Sequence, residues 1–175
     1  MMKDLIRYFA PTRADSASLG AMARQSFSDA FAHLFDPAPF AQFLAEVYGP
    51  GGTMERGFAD PSIQWQAAAI GDRIIGYAKL SPLTAPAPAP QPGAMELQQI
   101  YVLTPWHGQG VAERLMGWAL DAARAAGAPE IYLTVFDHNA RAKRFYTRHG
   151  FVQVGHCTFK LGDRVDDDRV WRKLL

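Results

Sequence analysis

The sequence predicts one α/β domain built on a mixed, mostly antiparallel sheet with a parallel strand pair near its middle. The chain has 175 residues, which fits a single domain of about 100–200 residues. Strand-like and helical patterns follow in the order strand, two helices, three strands, helix, strand, helix, two strands. Because a strand–helix–strand succession requires parallel neighbours while hairpin-linked strands pair antiparallel, this order predicts a mixed sheet.

The N-terminal part is predicted to form one strand and two helices. Apolar and polar residues alternate over residues 5–9, which indicates a strand. Thr12 or Asp15 can then cap a helix that reaches about residue 34. After the break at Asp36-Pro37 a second helix is expected, because apolar residues recur at helical spacing at Phe40, Phe43, Leu44 and Val47.

A hairpin and a proline-rich loop follow. Two strand-like runs, 63–70 and 73–80, are joined by Gly71-Asp72, which is typical of a tight turn. The segment 84–93 has a proline at every second position from 86 to 92. It cannot form a ladder, and we expect an extended, exposed and mobile loop rather than the alternative, a ligand for an aromatic groove.

The C-terminal part carries the clearest pattern. The predicted elements are a strand at 95–103, a helix at 108–126, a strand at 131–136, a helix from Asn139 to 149, and strand-like runs at 151–160 and 169–174. The first strand, helix and second strand of this series make the crossover that predicts the parallel pair.

Composition excludes several classes of function. Lys and Arg number 18 against 17 for Asp and Glu, with no basic stripe, so nucleic acid is not an expected partner. Cys157 is the single cysteine, which excludes an internal disulfide and fits a reducing compartment. The five histidines lack paired zinc spacing, so no metal is expected. No run approaches the ~20 apolar residues of a membrane span, and we expect a cytoplasmic protein.

The most informative local feature is the turn between the strand at 95–103 and the next helix, where residues 106–112 read Trp-His-Gly-Gln-Gly-Val-Ala. Glycines at a helix start let the backbone approach a ligand, and the helix N-terminus favours an anion such as pyrophosphate. Glu113 stands where a dinucleotide fingerprint needs its third glycine, and the lysine of a P-loop is absent. The alternative is that Gly108 and Gly110 only shape a tight turn.

This turn resembles the acetyl-CoA-binding signature of the GNAT superfamily of N-acetyltransferases, Gln/Arg-x-x-Gly-x-Gly/Ala. It departs from the signature at His107, where the family has Gln or Arg. A second stretch resembles the family pattern Asn-x-x-Ala-x-x-x-Tyr-x-x-x-Gly-Phe, through Asn139, Ala142, Tyr146, Gly150 and Phe151. Residues 95–102, 155–163 and 26–31, with Asp168, further resemble the bacterial spermine/spermidine N-acetyltransferases of the PaiA group.

The resemblance implies acetyl-CoA as cosubstrate, a splayed central strand pair, and helices on both faces of the sheet. The pantetheine would insert like an added strand against backbone groups of Tyr101 and Val102. The signature residues would hold the pyrophosphate: His107, Gly108, Gln109, Gly110, Val111 and Ala112. Asn139 and Tyr146 lie about two helical turns apart, so both can face the sulfur end of the cofactor.

Acetyl transfer to an amine needs a proton acceptor and a proton donor. An alkylamine with a pKa near ~10.4 is protonated at neutral pH, and Glu96 is the candidate that accepts its proton through water. Tyr146 is the candidate donor to the departing thiolate. The alternatives are that Glu96 is a solvated strand-edge carboxylate and that Tyr146 only packs, while Asn139 is expected to cap its helix in any case.

The acceptor is less well defined than the cofactor. A polyamine is the leading small-molecule acceptor, with a protein N-terminus, an amino acid or an amine-bearing drug as alternatives, and a noncatalytic acyl-CoA sensor as an alternative of another class. Asp29 and Asp36 are candidate contacts for a cationic acceptor. The acidic run 166–168 could also attract a polyamine, but a solvated turn before the last strand is the more common structure for such a run. The sequence leaves the oligomeric state open, with a homodimer as one option.

Overall fold

The computed structural model describes residues 5–175 and confirms the predicted order of elements. The strands are β1 (Arg7–Phe9), β2 (Gln64–Ile70), β3 (Arg73–Pro82), β4 (Met95–Val102), β5 (Glu130–Phe136), β6 (Val152–Leu161) and β7 (Arg164–Leu174). The helices are α1 (Ser16–Phe31), α2 (Pro37–Tyr48), α3 (Thr53–Gly57), α4 (Val111–Ala125) and α5 (Ala140–Arg148). The short helix α3 and the 3-10 turns at 13–15, 32–34 and 104–106 were not predicted.

The strands form a seven-stranded sheet in the order β1-β2-β3-β4-β5-β7-β6. Antiparallel pairing joins β1 to β2, β5 to β7 and β6 to β7. The parallel pair is β4 with β5, in the register Met95↔Ile131 and Glu96↔Tyr132. The predicted mixed, mostly antiparallel sheet is therefore confirmed, and α4 makes the crossover between the parallel strands.

The chain divides into two compact units. The first contains the residues up to Lys79 together with Gln99–Ala119, and the second contains Leu80–Gln98 and Leu120–Leu175. The strands β3 and β4 each run through both units. That the chain forms a single domain stays a prediction.

In the first unit, α1 packs closely on the end of α2. A Cβ added at Gly20 of α1 would lie 2.7 Å from the carbonyl oxygen of Tyr48, so only glycine permits this approach. Phe27 of α1 lies within 4.9 to 6.0 Å of four aromatic rings, those of Phe31, Phe40, Phe43 and Tyr48. This aromatic core fixes α1 and α2 against each other.

In the second unit, the proline-rich segment forms a loop without strand pairing, as predicted, but the loop is anchored. Leu83 and Ala87 pack against the buried side chains of Ala94, Tyr132 and Val170. Its backbone N–H groups donate to two buried carboxylates, those of Glu96 and Glu130. The expectation of a mobile loop did not anticipate these anchors, because nothing local in the sequence shows which carboxylates lie beneath it.

Glu130 is fully buried and organises one end of this loop. Its carboxylate accepts hydrogen bonds from the Gln91 backbone N–H at 2.8 Å and the Tyr132 hydroxyl at 2.9 Å, and Arg172 lies 3.8 Å away. Burial by itself would raise the pKa of Glu130, but the hydrogen bond from Gln91 and the one from Tyr132 outweigh it, so the pKa lies below its usual value. The ionised carboxylate therefore stabilises the folded chain.

We predict that Glu130→Ala lowers the free energy of unfolding by about 2–4 kcal/mol at pH 7, because buried donors lose their acceptor. Glu130→Gln should cost less, and Glu46→Ala on the exposed face of α2 should stay within about 0.5 kcal/mol. Since the folded pKa is lowered, this contribution is present above the unfolded pKa of about 4.3 and is lost as the pH falls below it. Urea unfolding of the variants measures the effect, and equal stability of Glu130→Ala and wild type would contradict it.

Candidate active site

The turn between β4 and α4 has an open, glycine-dependent backbone. Gly108 and Gly110 have φ angles of +72° and +85°, which L side chains rarely adopt. A Cβ added at either position would meet no atom within 4 Å, so backbone conformation rather than crowding requires glycine there. The space above the turn can thus admit a ligand directly onto the main chain.

The start of α4 provides the donors of an anion site. The first helical bond runs from the Arg114 N–H to the Gly110 carbonyl at 3.1 Å, so the N–H groups just before Arg114 precede the helical ladder. These groups and the helix dipole favour a phosphate next to the turn. The backbone at residues 107–112 is therefore open to an anion, while the predicted contact of these residues with the pyrophosphate stays a prediction.

Side chains of the same turn bond to main-chain carbonyls. His107 Nε2 lies 2.7 Å from the carbonyl oxygen of Val102, at the end of β4. Gln109 Nε2 donates to the carbonyl of Pro105 at 2.8 Å. The side chain at the Gln/Arg position of the signature, His107, thus contacts a main-chain carbonyl, as does the neighbouring Gln109.

The end of β4 is held firmly within the first unit. The Leu103 N–H donates to the Ile75 carbonyl of β3 at 2.9 Å. A Cβ at Gly76 would lie 3.0 Å from the Tyr101 carbonyl oxygen and 3.2 Å from the Val102 side chain, so Gly76 permits close approach of the two strands. The backbone of Tyr101 and Val102 is therefore rigidly placed.

The Tyr101 side chain belongs to a buried tyrosine network. Its ring meets Tyr77 edge-on at 5.7 Å, and its hydroxyl shares a hydrogen bond with Tyr48 of α2. Tyr77 in turn donates to Gln99 at 2.9 Å. Burial, followed by the neighbouring tyrosines, raises the pKa of Tyr48 and of Tyr77, so these hydroxyls stay protonated.

Glu96 is buried on β4, with 7% of its surface exposed. Its Oε2 accepts hydrogen bonds from the Thr84 N–H at 2.9 Å, the Thr84 hydroxyl at 2.8 Å and the Ala85 N–H at 2.9 Å. The alternative of a solvated strand-edge carboxylate is therefore wrong. Within residues 5–175 its Oε1 makes no hydrogen bond, and it remains available to water or a ligand.

Asp168 is a half-buried carboxylate that the sequence reasoning placed in a solvated turn. That prediction is wrong, because β7 begins at Arg164 and pairs Asp168 with Cys157 of β6. Burial, and next the charge of Asp166, raises the pKa of Asp168 to about 6. Among residues 5–175 its carboxylate has no hydrogen bond or salt bridge.

The charges of Glu96 and Asp168 both influence the pKa of the Cys157 thiol. Burial first, and then the charges of Asp168 and Glu96, raise the pKa of Cys157. The two carboxylates therefore lie close enough to Cys157 to influence it electrostatically. The alternation of side chains along β7 could have placed Asp168 on the same face of the strand as other buried residues, because residues two apart share one face. How far Asp168 is buried, however, depends on the order of strands in the sheet.

The helix α5 carries the other two predicted site residues of the second unit. Asn139 caps the helix, since its side-chain oxygen accepts from the Ala142 N–H at 3.1 Å, which confirms the expected cap. Tyr146 is buried, with its ring edge-on to Phe145 at 5.7 Å and to Phe151 at 6.0 Å. The chemical role of both residues stays a prediction.

Asp29 and Asp36 are exposed in the first unit. Asp29 accepts a hydrogen bond from Gln25 at 2.6 Å, one turn earlier on α1. Asp36 precedes α2 with an extended backbone. Neither carboxylate is desolvated, so each would contribute little to binding a cation in water.

The part of the chain that the structure describes contains neither a group of metal ligands nor a membrane-spanning helix. Among residues 5–175, no three histidine, cysteine or acidic side chains lie together as a metal site would require. No helix in that range combines the length and apolar character needed to cross a membrane.

Comparison with known proteins identifies the family. The profile of the acetyltransferase (GNAT) family matches residues 22–151. An uncharacterized N-acetyltransferase of Mycobacterium bovis is 32% identical over 89% of this chain and 95% of its own length. The N-alpha-acetyltransferase RimI of Mycobacterium tuberculosis is 30% identical over 81% of this chain and 82% of its own length.

A solved structure shares the fold. The PaiA N-acetyltransferase of Thermoplasma acidophilum, in complex with coenzyme A, superposes with a TM-score of 0.73 at 18% identity, covering 97% of this chain and 99% of that one. With the glycine turn and helix start described above, the match over more than half of the sequence is decisive. The chain belongs to the GNAT family of acetyltransferases and is an acetyl-CoA-dependent N-acetyltransferase.

Proposed function

We propose that this enzyme acetylates a primary amine of a polyamine such as spermidine or spermine. The observation that carries the proposal is Asp168, a half-buried carboxylate without a hydrogen bond or salt bridge among residues 5–175, whose pKa is raised although the charge of Arg169 lowers it in part. Its charge and that of Glu96 both raise the pKa of Cys157. Burying an unpaired carboxylate is costly, so its natural complement is a bound cation. A polyamine supplies one amine to react and further ammonium groups to bind.

The cofactor is proposed to bind along β4 and the turn that follows it. Backbone groups of Tyr101 and Val102 would pair with the pantetheine, and the N–H groups at the start of α4 would receive the pyrophosphate. The proposed signature contacts are His107, Gly108, Gln109, Gly110, Val111 and Ala112, with Asn139 and Tyr146 at the sulfur end. The open backbone at the two glycines supports this assignment.

Glu96 is proposed to accept the proton of the acceptor amine, directly or through one water. Three donors hold its Oε2 and fix the orientation of the carboxylate, which leaves Oε1 for the proton. Loss of that proton gives the amine the lone pair that attacks the thioester carbonyl carbon. The carbon–sulfur bond then breaks, and the electron pair leaves with the CoA sulfur.

Tyr146 is proposed to give its proton to the departing thiolate. The side chain is buried on α5, and its ring is set by edge contacts with Phe145 and Phe151. A fixed hydroxyl can donate to sulfur at little cost in conformational entropy. Glu96 would thus remove a proton from the attacking amine, and Tyr146 would supply a proton to the departing sulfur.

An α-amine acceptor is the second candidate. The observation that favours it is the similarity to RimI, which is named as an N-alpha-acetyltransferase. The α-amine of a protein N-terminus is a single cationic group, and Glu96 alone could accept its proton. Asp168 would then have no ammonium group of the acceptor to bind. Amine-bearing drugs and a noncatalytic acyl-CoA sensor are weaker candidates, because no contact of this chain specifically favours them.

The test is release of CoA thiol from acetyl-CoA with a panel of spermidine, spermine, amino acids, short peptides and an aminoglycoside. We expect release with the polyamines. Release only with peptides would favour the α-amine acceptor. No release with any amine, despite binding of acetyl-CoA, would favour the sensor.

We predict that Tyr146→Phe lowers kcat by about a hundredfold while the Kd for acetyl-CoA changes little, because only the proton donor is lost. Steady-state kinetics and calorimetric titration measure the two quantities. Tyr8→Phe, which removes a hydroxyl from β1, is the matched control and should keep the wild-type rate. Unchanged turnover in Tyr146→Phe would remove Tyr146 as the acid.

We predict that Asp168→Asn raises the melting temperature at pH 7.5 and weakens polyamine binding. The folded pKa of about 6 lies above the unfolded value. Ionised Asp168 therefore opposes folding increasingly as the pH rises through that window, and the amide removes this cost. Because binding needs the ionised form, the wild-type KM for spermidine should rise as the pH falls through about 6.

The control for Asp168→Asn is Asp163→Asn, which changes an exposed carboxylate in the turn between β6 and β7 that does not influence the pKa of Asp168. It should leave both the melting temperature and the KM near the wild-type values. An Asp168→Asn enzyme with an unchanged KM for spermidine would show that Asp168 does not bind the acceptor.

A further inference from the structure

The contact between His107 and Val102 joins the two halves of the cofactor cradle. The ring nitrogen Nε2 lies 2.7 Å from a carbonyl oxygen, which can only accept a hydrogen bond, so Nε2 carries the proton. Val102 ends the strand that would pair with pantetheine, and His107 opens the turn that would receive pyrophosphate. One side chain therefore connects the position of the strand end to that of the turn.

Three main-chain hydrogen bonds of this region do not join the turn to Val102. The Trp106 N–H donates to the Leu103 carbonyl at 2.9 Å and the His107 N–H to the Thr104 carbonyl at 3.1 Å, so both bonds close the 3-10 turn on itself. The Leu103 N–H fastens the chain to β3. The bond from His107 reaches across the turn to the strand and restrains the Val102 carbonyl.

We propose that His107 is a positioning residue for acetyl-CoA: its imidazole fixes the Val102 carbonyl and holds the glycine turn in register with the end of β4. This role rests on the cofactor assignment above and not on the identity of the acceptor. The signature's Gln or Arg would suggest a contact with phosphate at this position. The geometry points instead to a contact within the protein.

The role depends on a hydrogen-bond donor, not on a positive charge. A Gln side chain places an amide N–H at a similar reach, so His107→Gln should keep the restraint, whereas His107→Leu removes it. Since a contact with phosphate would also tolerate Gln, the variants alone do not separate the two roles. The two roles can be separated by measuring how each half of the cofactor binds on its own.

The experiment measures binding of two fragments, acetyl-pantetheine and 3′-phospho-ADP, without any acceptor amine. Ligand-observed NMR suits the weak fragments, and calorimetry suits acetyl-CoA. We expect His107→Leu to weaken acetyl-pantetheine, 3′-phospho-ADP and acetyl-CoA, each by about tenfold, because strand end and turn both lose their restraint. We expect His107→Gln to stay within about threefold of wild type for each.

Three results would overturn the proposal. The first is weaker binding of 3′-phospho-ADP alone in His107→Leu, which a direct contact with phosphate would produce. The second is unchanged binding of both fragments. The third is no binding of acetyl-pantetheine to the wild-type protein, because the strand end would then hold no pantetheine.

The controls separate positioning from folding and charge. Gln42→Ala removes a side-chain hydrogen bond to Glu46 on the exposed face of α2, away from Val102 and the glycine turn, and should leave acetyl-pantetheine binding within about threefold. The salt dependence of acetyl-CoA binding should be the same in wild type and His107→Gln, since no charge–phosphate contact is lost. A steeper salt dependence in the wild type would contradict the proposal, and circular dichroism verifies that each variant is folded.

Discussion

The structure depends on a backbone constraint at Gly108 and Gly110. Positive φ angles at both residues let β4 turn directly into α4 while the start of the helix stays open. Any other residue type would pay for a left-handed conformation, and its side chain would project into space that a ligand needs. In our proposal, the same two residues serve both the turn from β4 into α4 and the cofactor site. At the proposed site, main-chain dipoles would supply the attraction for a polyanion, so a chain with a net charge of +1 needs no cluster of basic side chains there.

Two buried carboxylates provide the hydrogen-bond acceptors that the backbone N–H groups of the proline-rich loop cannot find in a strand pairing. Prolines have no N–H group, so this segment cannot satisfy itself by a regular ladder. Its remaining donors at Thr84, Ala85 and Gln91 find acceptors in Glu96 and Glu130. Glu96 consequently combines two roles in our proposal: one oxygen holds the loop, and the other accepts the proton of the amine. Its orientation for chemistry follows from its structural bonds.

Asp168 illustrates the opposite case, a half-buried carboxylate that makes no hydrogen bond or salt bridge within residues 5–175 and is only partly compensated by the charge of Arg169. Its raised pKa shows that the ionised form opposes folding near neutral pH. A ligand that brings the missing positive charge would recover that free energy on binding, which gives a polyamine an advantage over an acceptor with one ammonium group. Asp29 and Asp36, exposed and well solvated, offer no comparable gain.

The sequence by itself determined the order of elements, the hairpin at Gly71, the glycine turn, the cap at Asn139 and the family. These features depend on neighbouring residues, because periodicity, capping and positive φ are local properties of a chain. The tertiary structure alone decided the burial of Glu96 and Glu130, the partial burial of Asp168 and the contact of His107 with Val102. Each arises where segments meet in a particular strand order and register, or where a turn folds back on its strand. Pairing in space, which sets desolvation and hydrogen bonding, is not a local property of the sequence.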